Sequence, residues 1–204
     1  MKKLLKVLGV ILVLFIITAI AVPFLFKGKI IAEIKKAANE NLNAKFDFKD
    51  LDISLFKGFP GIYLGLTDVS IVGVGDFKND TLASVKQLSV NANFWKLIAS
   101  GKTQVNSIGI DNPRIHLIGL KDGRVNWDIT KPSKDNTPST EESSNFKFTL
   151  SKYTIDHGYV SYKDDAMGFS MVMDDLNHTG KGDFTQDNFV LNTMTDIAKL
   201  TTVY

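Results

Sequence analysis

The chain has 204 residues, of which 44% are hydrophobic and 23% are charged, so it can bury a core and is not a disordered chain. Its 24 Lys and Arg residues nearly balance 22 Asp and Glu residues, and the bases are scattered among acids, which indicates no nucleic-acid interface. There is no cysteine, which excludes disulfides, thiolate metal sites and a cysteine nucleophile.

An apolar run from Val7 to Phe26 follows a short basic start. At ~1.5 Å rise per residue, roughly 20 such residues cross the hydrocarbon core of a bilayer, so residues 7–26 are predicted to be a transmembrane anchor. A cleaved secretory signal is the alternative, since Ala19-Ile20-Ala21 resembles a cleavage site. The apolar run continues beyond that site to Phe26, which favours the uncleaved anchor.

Lysines flank the predicted anchor on both sides, so counting positive charges does not by itself decide its orientation. A short N-terminal tail before a long domain is typical of a signal-anchor, and long domains cross the membrane with little regard to their charge. We therefore expect residues 1–6 in the cytoplasm and the main domain on the other side of the membrane.

Residues 27–43 are predicted to form an amphipathic helix, because apolar residues from Ile30 to Leu42 recur at intervals of three and four. Its apolar stripe is expected either on the lipid surface or against the sheet that follows. A second, short helix is predicted from Phe94 to Ser100, where Gly101 ends it.

Beyond the first helix the apolar period changes to two, which is typical of β-strands with one buried face. Turn residues such as Asp111-Asn112-Pro113 separate the extended runs, and this pattern predicts a meander of antiparallel strands. A parity shift at Lys49-Asp50 predicts a β-bulge. In this first β-region, residues 44–129, the alternation begins with Phe46 and Phe48 and continues, after the parity shift, with Leu51, Ile53 and Leu55. The further predicted strands are Ile62–Leu66, Val69–Val72, Leu82–Phe94, Val105–Ile110, Arg114–Leu120 and Val125–Ile129.

Residues 130–145 contain no apolar residue and two prolines, so they are predicted to be an exposed linker. Strand patterning returns in a second β-region, residues 146–204, which we expect to continue in a longer parent protein. Its predicted strands are Phe146–Leu150, Tyr153–Ile155, Val160–Tyr162, Phe169–Met173 and Phe189–Leu191.

The residues that could support catalysis or bind a metal are sparse. The three histidines are isolated from one another in the sequence, and the paired aspartates lack the alternating oxygen ligands and closing Glu of a calcium loop. The chain also lacks the G-x-S-x-G, H-E-x-x-H and Walker motifs. We therefore expect no enzymatic activity, no bound metal and no cofactor.

The segment IGIDNPRIHLIGLKDGRVNWDI, residues 108–129, combines two apolar strands with a characteristic series of turn and aromatic residues. Those residues are Asp111, Asn112, Pro113, Asp122, Gly123, Asn126 and Trp127. With the lysine-flanked N-terminal run and the Phe59-Pro60 turn, the segment resembles the AsmA-like family of bacterial envelope proteins. The motif residues are interpreted as structural, and none as catalytic.

The resemblance implies an inner-membrane protein whose main domain lies in the periplasm and forms an elongated, curled antiparallel sheet with an apolar groove. Proteins of this kind are associated with outer-membrane biogenesis and with the passage of phospholipid between the two membranes. The resemblance thus implies a protein that holds or conducts phospholipid, whose acyl chains are its partner. The alternative is a membrane-anchored scaffold that docks envelope assembly proteins without transferring lipid.

Strands with one apolar face need a cover, and the sequence predicts few helices to provide it. A closed sandwich or barrel explains the alternation equally well from the residues alone, whereas the resemblance favours an open groove. The predicted groove lining is Phe46, Phe48, Ile53, Leu64, Leu88, Val90, Ile108, Ile110, Ile115, Leu117, Phe146, Phe148, Phe169 and Met171.

Overall fold

A computed structural model describes residues 25–93, 104–131, 149–183 and 188–204. In these residues it shows one α-helix, α1 at 25–41, and one sheet of eight strands. The strands are β1 (Lys45–Asp47), β2 (Asp50–Ser54), β3 (Ile62–Val72), β4 (Thr81–Ala92), β5 (Gln104–Gly119), β6 (Thr149–Asp164), β7 (Phe169–Lys181) and β8 (Asn192–Val203). The predicted mainly β fold is confirmed.

The strand order of the sheet is β1-β3-β4-β5-β6-β7-β8, and β2 pairs with β3 beside β1. Within the described ranges, β8 does not pair with the first strands, so the sheet is curled and open rather than a closed barrel. We call the end of the sheet where β3 and β5 begin the Pro60 end, and the opposite end, where these two strands finish, the Arg124 end.

The sheet is not a pure antiparallel meander, because β5 and β6 run parallel. Gln104 faces Thr149 at the Pro60 end of this pair, and Gly119 faces Asp164 at the Arg124 end. A parallel pair needs a connection long enough to carry the chain back along the strands, and residues 120–148 supply it. The predicted linker belongs to this connection, although its residues 132–145 lie outside the described residues.

The predicted chain reversal at Asp111-Asn112-Pro113 is wrong, because β5 continues straight through these residues. Asn112 adopts a left-handed φ of 49°, which makes a local kink inside a continuous strand rather than a turn between two strands. The register with β4 continues through the kink, and Pro113 faces Val85. In the same way, β3 and β6 are each continuous where the sequence predicts two strands.

Left-handed residues line up across the sheet in what we call the kink line, which consists of Asp68 in β3, Asn112 in β5, His157 in β6 and Asp175 in β7. The register places Asp68 and Asn112 beside the same position of β4, and Asn112 beside His157. Asn, Asp and His adopt this conformation more readily than other residues with side chains. A left-handed residue interrupts the regular extended backbone, so the kink line marks where each of these strands departs from a regular strand.

Other predicted elements differ from the structure. Val125–Ile129 is a loop rather than a strand, with only an isolated bridge from Val125 to Gly119. Phe189–Leu191 precedes β8 and is not a strand. The predicted bulge at Lys49-Asp50 corresponds to the break between β1 and β2. The predicted helix from Phe94 to Ser100 lies outside the described residues.

Helix α1 covers the first strands of the sheet, which is one of the two positions expected for its apolar stripe. Ile30, Ile31 and Ile34 pack on a buried cluster. The buried residues of that cluster are Phe48, Leu51 and Val69. No helix in the described ranges is both long enough and apolar enough to cross a bilayer. Residues 7–24 of the predicted anchor lie outside those ranges.

Ion pairs fix the direction in which α1 crosses the sheet. The Lys27 Nζ lies 2.7 Å from an Asp50 carboxylate oxygen, and the Lys35 Nζ lies 2.5 Å from that of Asp47. The hydrogen bonds from these lysines lower the pKa of both aspartates. The helix therefore runs antiparallel to β1 and β2, with its N-terminal Lys27 beside β2 and its later Lys35 beside β1. Its N-terminus points toward the Pro60 end.

Candidate functional site

The strand register brings apolar residues into continuous rows across the sheet. Residues that face each other in neighbouring strands project to the same side, so a chain of register partners defines one face. One row consists of Leu51, Leu66, Leu88, Ile110 and Ile155. A second row consists of Ile53, Leu64, Val90, Ile108 and Tyr153. Both rows lie on the Pro60 side of the kink line.

Similar rows lie on the Arg124 side of the kink line. The longest consists of Phe46, Ile71, Ala83, Ile115, Val160, Met173 and Leu200. The next consists of Leu117, Tyr162, Met171 and Thr202. Phe46, Leu66 and Leu88 all pack against the cluster below α1, so the rows on both sides of the kink line share one face. We call this surface the apolar face.

The kink line is what keeps the apolar residues on one face. Ile110 and Ile115 are five residues apart, and an odd spacing in a regular strand puts two side chains on opposite faces. The register of β5 with β4 and β6 passes through Asn112 without a shift, so no residue is inserted there, and the left-handed backbone of Asn112 accounts for the reversed alternation. The residue type that looks like a turn signal in the sequence therefore aligns two halves of a long strand.

The opposite face of the sheet is polar. Thr67, Gln87 and Asp111 form one row of register partners on it, and Asp111 continues to Asp156. Near the Arg124 side, the guanidinium of Arg114 lies 5.2 Å from the centre of the Tyr159 ring. The sheet is therefore two-sided, with charged and hydroxyl groups on one surface and hydrocarbon on the other.

The cover over the apolar face is partial. Helix α1 packs over β1 to β4, but none of the described residues forms a helix over β5 to β8. Leu200 of β8, which belongs to the longest apolar row, is 58% exposed. The apolar face thus runs from a buried core at one side of the sheet to an open surface at the other.

The predicted lining residues fall on this face wherever the register reaches them. They are Phe46, Ile53, Leu64, Leu88, Val90, Ile108, Ile110, Ile115, Leu117, Phe169 and Met171. Phe48 is buried in the cluster beneath α1, and Phe146 and Phe148 lie outside the described residues.

Sequence reasoning missed several residues of the apolar face, mainly in β6, β7 and β8. They are Leu66, Ile155, Val160, Tyr162, Met173, Leu176, Ile197 and Leu200. Most lie close to Asp68, His157 or Asp175, where the period-two pattern is interrupted. Matching the pattern separately on each side of an Asn, Asp or His inside an apolar run would have found these.

One polar group interrupts the apolar face near the Pro60 end. His178 is the register partner of Ile155, and its ring nitrogens lie 3.0 Å from the Tyr153 hydroxyl and 2.7 Å from the Thr195 hydroxyl. Both ring nitrogens are hydrogen-bonded within the protein, so His178 serves to link β6, β7 and β8.

A cavity of about 590 Å³ with both polar and apolar lining residues lies at the Arg124 end, between the β3–β4 connection and the loop after β5. Arg124 lines this cavity, and its guanidinium group contacts Asp76 and lies 2.5 Å from a carboxylate oxygen of Asp122. The hydrogen bonds from Arg124 lower the pKa of Asp122. Since its charge is already paired twice, this arginine ties two loops together rather than offering a site for an anion.

No group of three or more His, Asp or Glu side chains in the described ranges is placed to hold a metal ion. The open apolar face is therefore the main candidate surface.

Comparison with known proteins identifies the family. The profile of the AsmA family matches residues 1–195 of the chain. The chain belongs to the AsmA family. No curated protein and no solved structure matches it significantly.

In this AsmA-family chain, the motif residues sit at structural junctions. Asp111, Asn112 and Pro113 form the kink in the middle of β5. Asp122 and Gly123 form the turn after β5, where Gly123 has a φ of 86° and its N–H donates to the Leu120 carbonyl over 3.0 Å. Only a residue that tolerates positive φ suits that turn.

The remaining two motif residues close the Arg124 end of β5. Asn126 is 3% exposed, and its side-chain amide donates to the His116 carbonyl over 2.7 Å. Its side-chain oxygen accepts from the Ile118 N–H over 2.9 Å. Asn126 thus pairs with β5 as a further strand would. The centre of the Trp127 ring lies 6.0 Å from that of Tyr162 in β6, so the tryptophan packs beside the apolar face at this strand.

Proposed function

We propose that this AsmA-family protein acts in bacterial cell-envelope biogenesis, where it holds or conducts phospholipid along its apolar face. The observation that carries the proposal is the set of apolar rows that cross the open sheet from β1 to β8. An acyl chain lying on such a surface is stabilised by about 0.8 kcal/mol for each CH₂ group removed from water. No catalytic group enters this proposal.

The proposed location is the inner membrane, with residues 1–6 in the cytoplasm, residues 7–26 as a single transmembrane anchor and the sheet in the periplasm. The apolar run of the sequence and the direction of α1 support this arrangement. The anchor keeps the apolar face close to a reservoir of lipid, which is the partner that its chemistry fits.

A scaffold for envelope assembly proteins is the second candidate, and the free edge of β8 favours it. This strand has 12 residues, pairs only with β7 in the described ranges, and exposes Met194, Leu200 and Val203. An unpaired strand edge can add a strand from another protein. A scaffold binds protein at this edge and needs no lipid on the apolar face.

Two neighbouring residues of β7 distinguish these functions. Met171 lies on the apolar face, as the partner of Tyr162 and Thr202, whereas Val172 lies on the opposite face, as the partner of Ser161 and Thr201. Both are half-buried. A photoreactive amino acid at position 171 of the full chain, activated in cells fed radioactive phosphate, should capture labelled phospholipid. The same group at position 172 should capture little.

A charged variant tests whether the capture depends on hydrocarbon contact. Leu117→Asp places a carboxylate in the row of Met171 and should reduce lipid capture at position 171, because an unpaired charge against acyl chains is costly. Ile118→Asp, on the other face, is the matched control, and circular dichroism follows the fold of both. Equal capture of lipid at 171 and 172, or capture of protein alone at 171, would end the lipid proposal and favour the scaffold.

A further inference from the structure

The loop between β2 and β3, residues 55–61, places two phenylalanines in solvent at the Pro60 end of the sheet. Phe56 is 71% exposed and Phe59 is 82% exposed. Two large aromatic side chains on one short loop are a costly exposure for a soluble surface. Lys57 lies between them in the sequence, and its Nζ is 2.5 Å from an Asp52 carboxylate oxygen.

The loop has a compact backbone. The Gly61 N–H donates to the Gly58 carbonyl over 2.6 Å, and the Lys57 N–H donates to the Ser54 hydroxyl over 3.1 Å. A Cβ atom at Gly58 would meet the Tyr63 backbone nitrogen at 2.6 Å, so the chain is tightly packed at this position. Phe56 and Phe59 thus extend into solvent from a loop whose backbone is fixed by internal hydrogen bonds.

The same end of the sheet receives the chain from the proposed anchor. Helix α1 contacts Asp50 through Lys27 and Asp47 through Lys35, so its described N-terminal residues lie on the side of β2 that leads to Ser54. Ser54 is the last residue of β2, and loop 55–61 follows it directly. The chain therefore enters α1 from the end of the sheet at which the loop lies.

Other exposed apolar residues lie at this end as well. Leu25 and Phe26 are exposed at the start of the described part of α1, and Val190 and Leu191 are exposed where the chain enters β8. From these observations we infer that loop 55–61 docks on the lipid bilayer, with Phe56 and Phe59 inserted at its interface. This inference rests on the proposed membrane anchor.

The inference assigns an orientation to the sheet. With one contact at the anchor and a second at loop 55–61, the domain stands on the membrane with its Pro60 end against the bilayer. Aromatic side chains favour the region between headgroups and acyl chains, and a nearby lysine suits the same boundary. The apolar face then opens toward lipid at the end where β3, β5 and β6 begin.

The absence of cysteine from the chain permits a direct test. A single cysteine at position 56 or 59 of the full chain is labelled with an environment-sensitive fluorophore, and the protein is reconstituted in phosphatidylethanolamine and phosphatidylglycerol vesicles. Nitroxide-labelled phosphatidylcholine should quench these positions. Met167→Cys is the matched control, because Met167 is apolar, 73% exposed and located at the Arg124 end. Quenching at 56 and 59 should exceed that at 167 at least about threefold, since insertion reaches about 5–10 Å into the interface.

A second variant tests the role of the phenylalanines themselves. A fluorophore at Lys57→Cys should be quenched by lipid in the native loop and much less when Phe56→Ser and Phe59→Ser are added. Because both side chains are exposed, the melting temperature should not change, which separates lost docking from lost folding.

The outcomes also separate this inference from the proposed function. If the full chain does not float with vesicles after alkaline washing, the anchor is absent, and both the proposed function and this inference fail. If the chain floats but lipid quenching at 56, 57 and 59 equals that at 167, the loop does not dock and only this inference fails. Protection of the loop from a water-soluble quencher without quenching by lipid would likewise overturn it, in favour of a protein partner.

Discussion

At the scale of single residues, the polar groups of this protein act on the backbone rather than on a substrate. Asn126 provides both a donor and an acceptor to the end of β5 from a position that is 3% exposed. An apolar side chain of equal size would leave the Ile118 N–H and the His116 carbonyl without these partners. A buried polar group left unpaired costs about 1–3 kcal/mol, so the site requires a side-chain amide. This accounts for a polar residue in a place where the local pattern predicts a strand.

The His157 and Asp175 pair shows the same use of polar groups on the kink line. The His157 ring Nδ1 lies 3.0 Å from an Asp175 carboxylate oxygen. The His157 backbone N–H donates to the side-chain oxygen of Asn177 over 3.0 Å. Hydrogen bonding and charge attraction from Asp175 raise the pKa of His157, with a smaller contribution from Asp111 and Asp156. The histidine in turn lowers the pKa of Asp175.

This pair predicts a pH dependence of stability. Because the folded state raises the pKa of His157, its contribution is fully present below the ordinary value of 6.5 and is lost as the pH rises through the folded pKa. The melting temperature of the full chain in detergent should therefore fall slightly from pH 6 to pH 8. The pair is exposed to solvent, so the change is expected to be small.

Two variants identify the source of that change. His157→Gln and Asp175→Asn each remove one partner, and both should reduce the difference in melting temperature between pH 6 and pH 8. An unaltered difference in both variants would assign the pH dependence to other groups.

At the scale of elements, the long strands depend on left-handed residues in their middle. Asn112 has a φ of 49°, a conformation that glycine adopts freely, asparagine tolerates and β-branched residues strongly resist. The left-handed backbone at this residue keeps Ile110 and Ile115 on the same face. A strand without it would direct one half of its apolar residues into water.

Substitutions at Asn112 test the role of its left-handed backbone conformation. Asn112→Val should destabilise the sheet by about 1–3 kcal/mol, because valine is strained at positive φ. For a chain of this size that corresponds to a fall of about 3–8 °C in melting temperature, measured by circular dichroism. Asn112→Gly keeps the conformation and is the control. Equal melting temperatures for the valine and glycine variants would show that β5 does not need the left-handed residue.

At the scale of the whole molecule, the open sheet has a gradient of protection. Strands β3 to β5 are paired on both sides, and α1 covers β3 and β4, whereas β8 is paired on one side and is exposed along most of its length. Local opening costs least where few apolar contacts and many exposed hydrogen bonds coincide. The open side of the sheet is therefore expected to open locally more readily than the side covered by α1.

Hydrogen exchange measures this gradient. Amides of β8, residues 192–203, should exchange faster than those of β4 and β5 in the full chain, because half of the β8 backbone groups have no strand partner in the described ranges. Mass spectrometry of proteolytic fragments gives the rates for each strand. Protection of β8 equal to that of β5 would show that another chain or a further segment covers this edge.

Much of the architecture follows from local sequence. The period of two from β1 onward specifies strands with one apolar face, and the three- and four-residue spacing of isoleucines specifies α1, since each pattern depends on neighbours along the chain. The motif from Asp111 to Trp127 also specified the family correctly, which the match over residues 1–195 confirms.

Tertiary structure decided what local sequence leaves ambiguous. Asn112 and His157 have the composition of turns, yet each lies within a continuous strand, because the neighbouring strands supply backbone partners on both sides. The parallel pairing of β5 with β6 depends on contacts between residues about 45 positions apart, such as Ile110 with Ile155, which no local pattern encodes. The apolar face depends on that register. Its residues come from eight strands, and the hydrogen-bonded pairing of those strands, not the order of the residues in the chain, places them side by side.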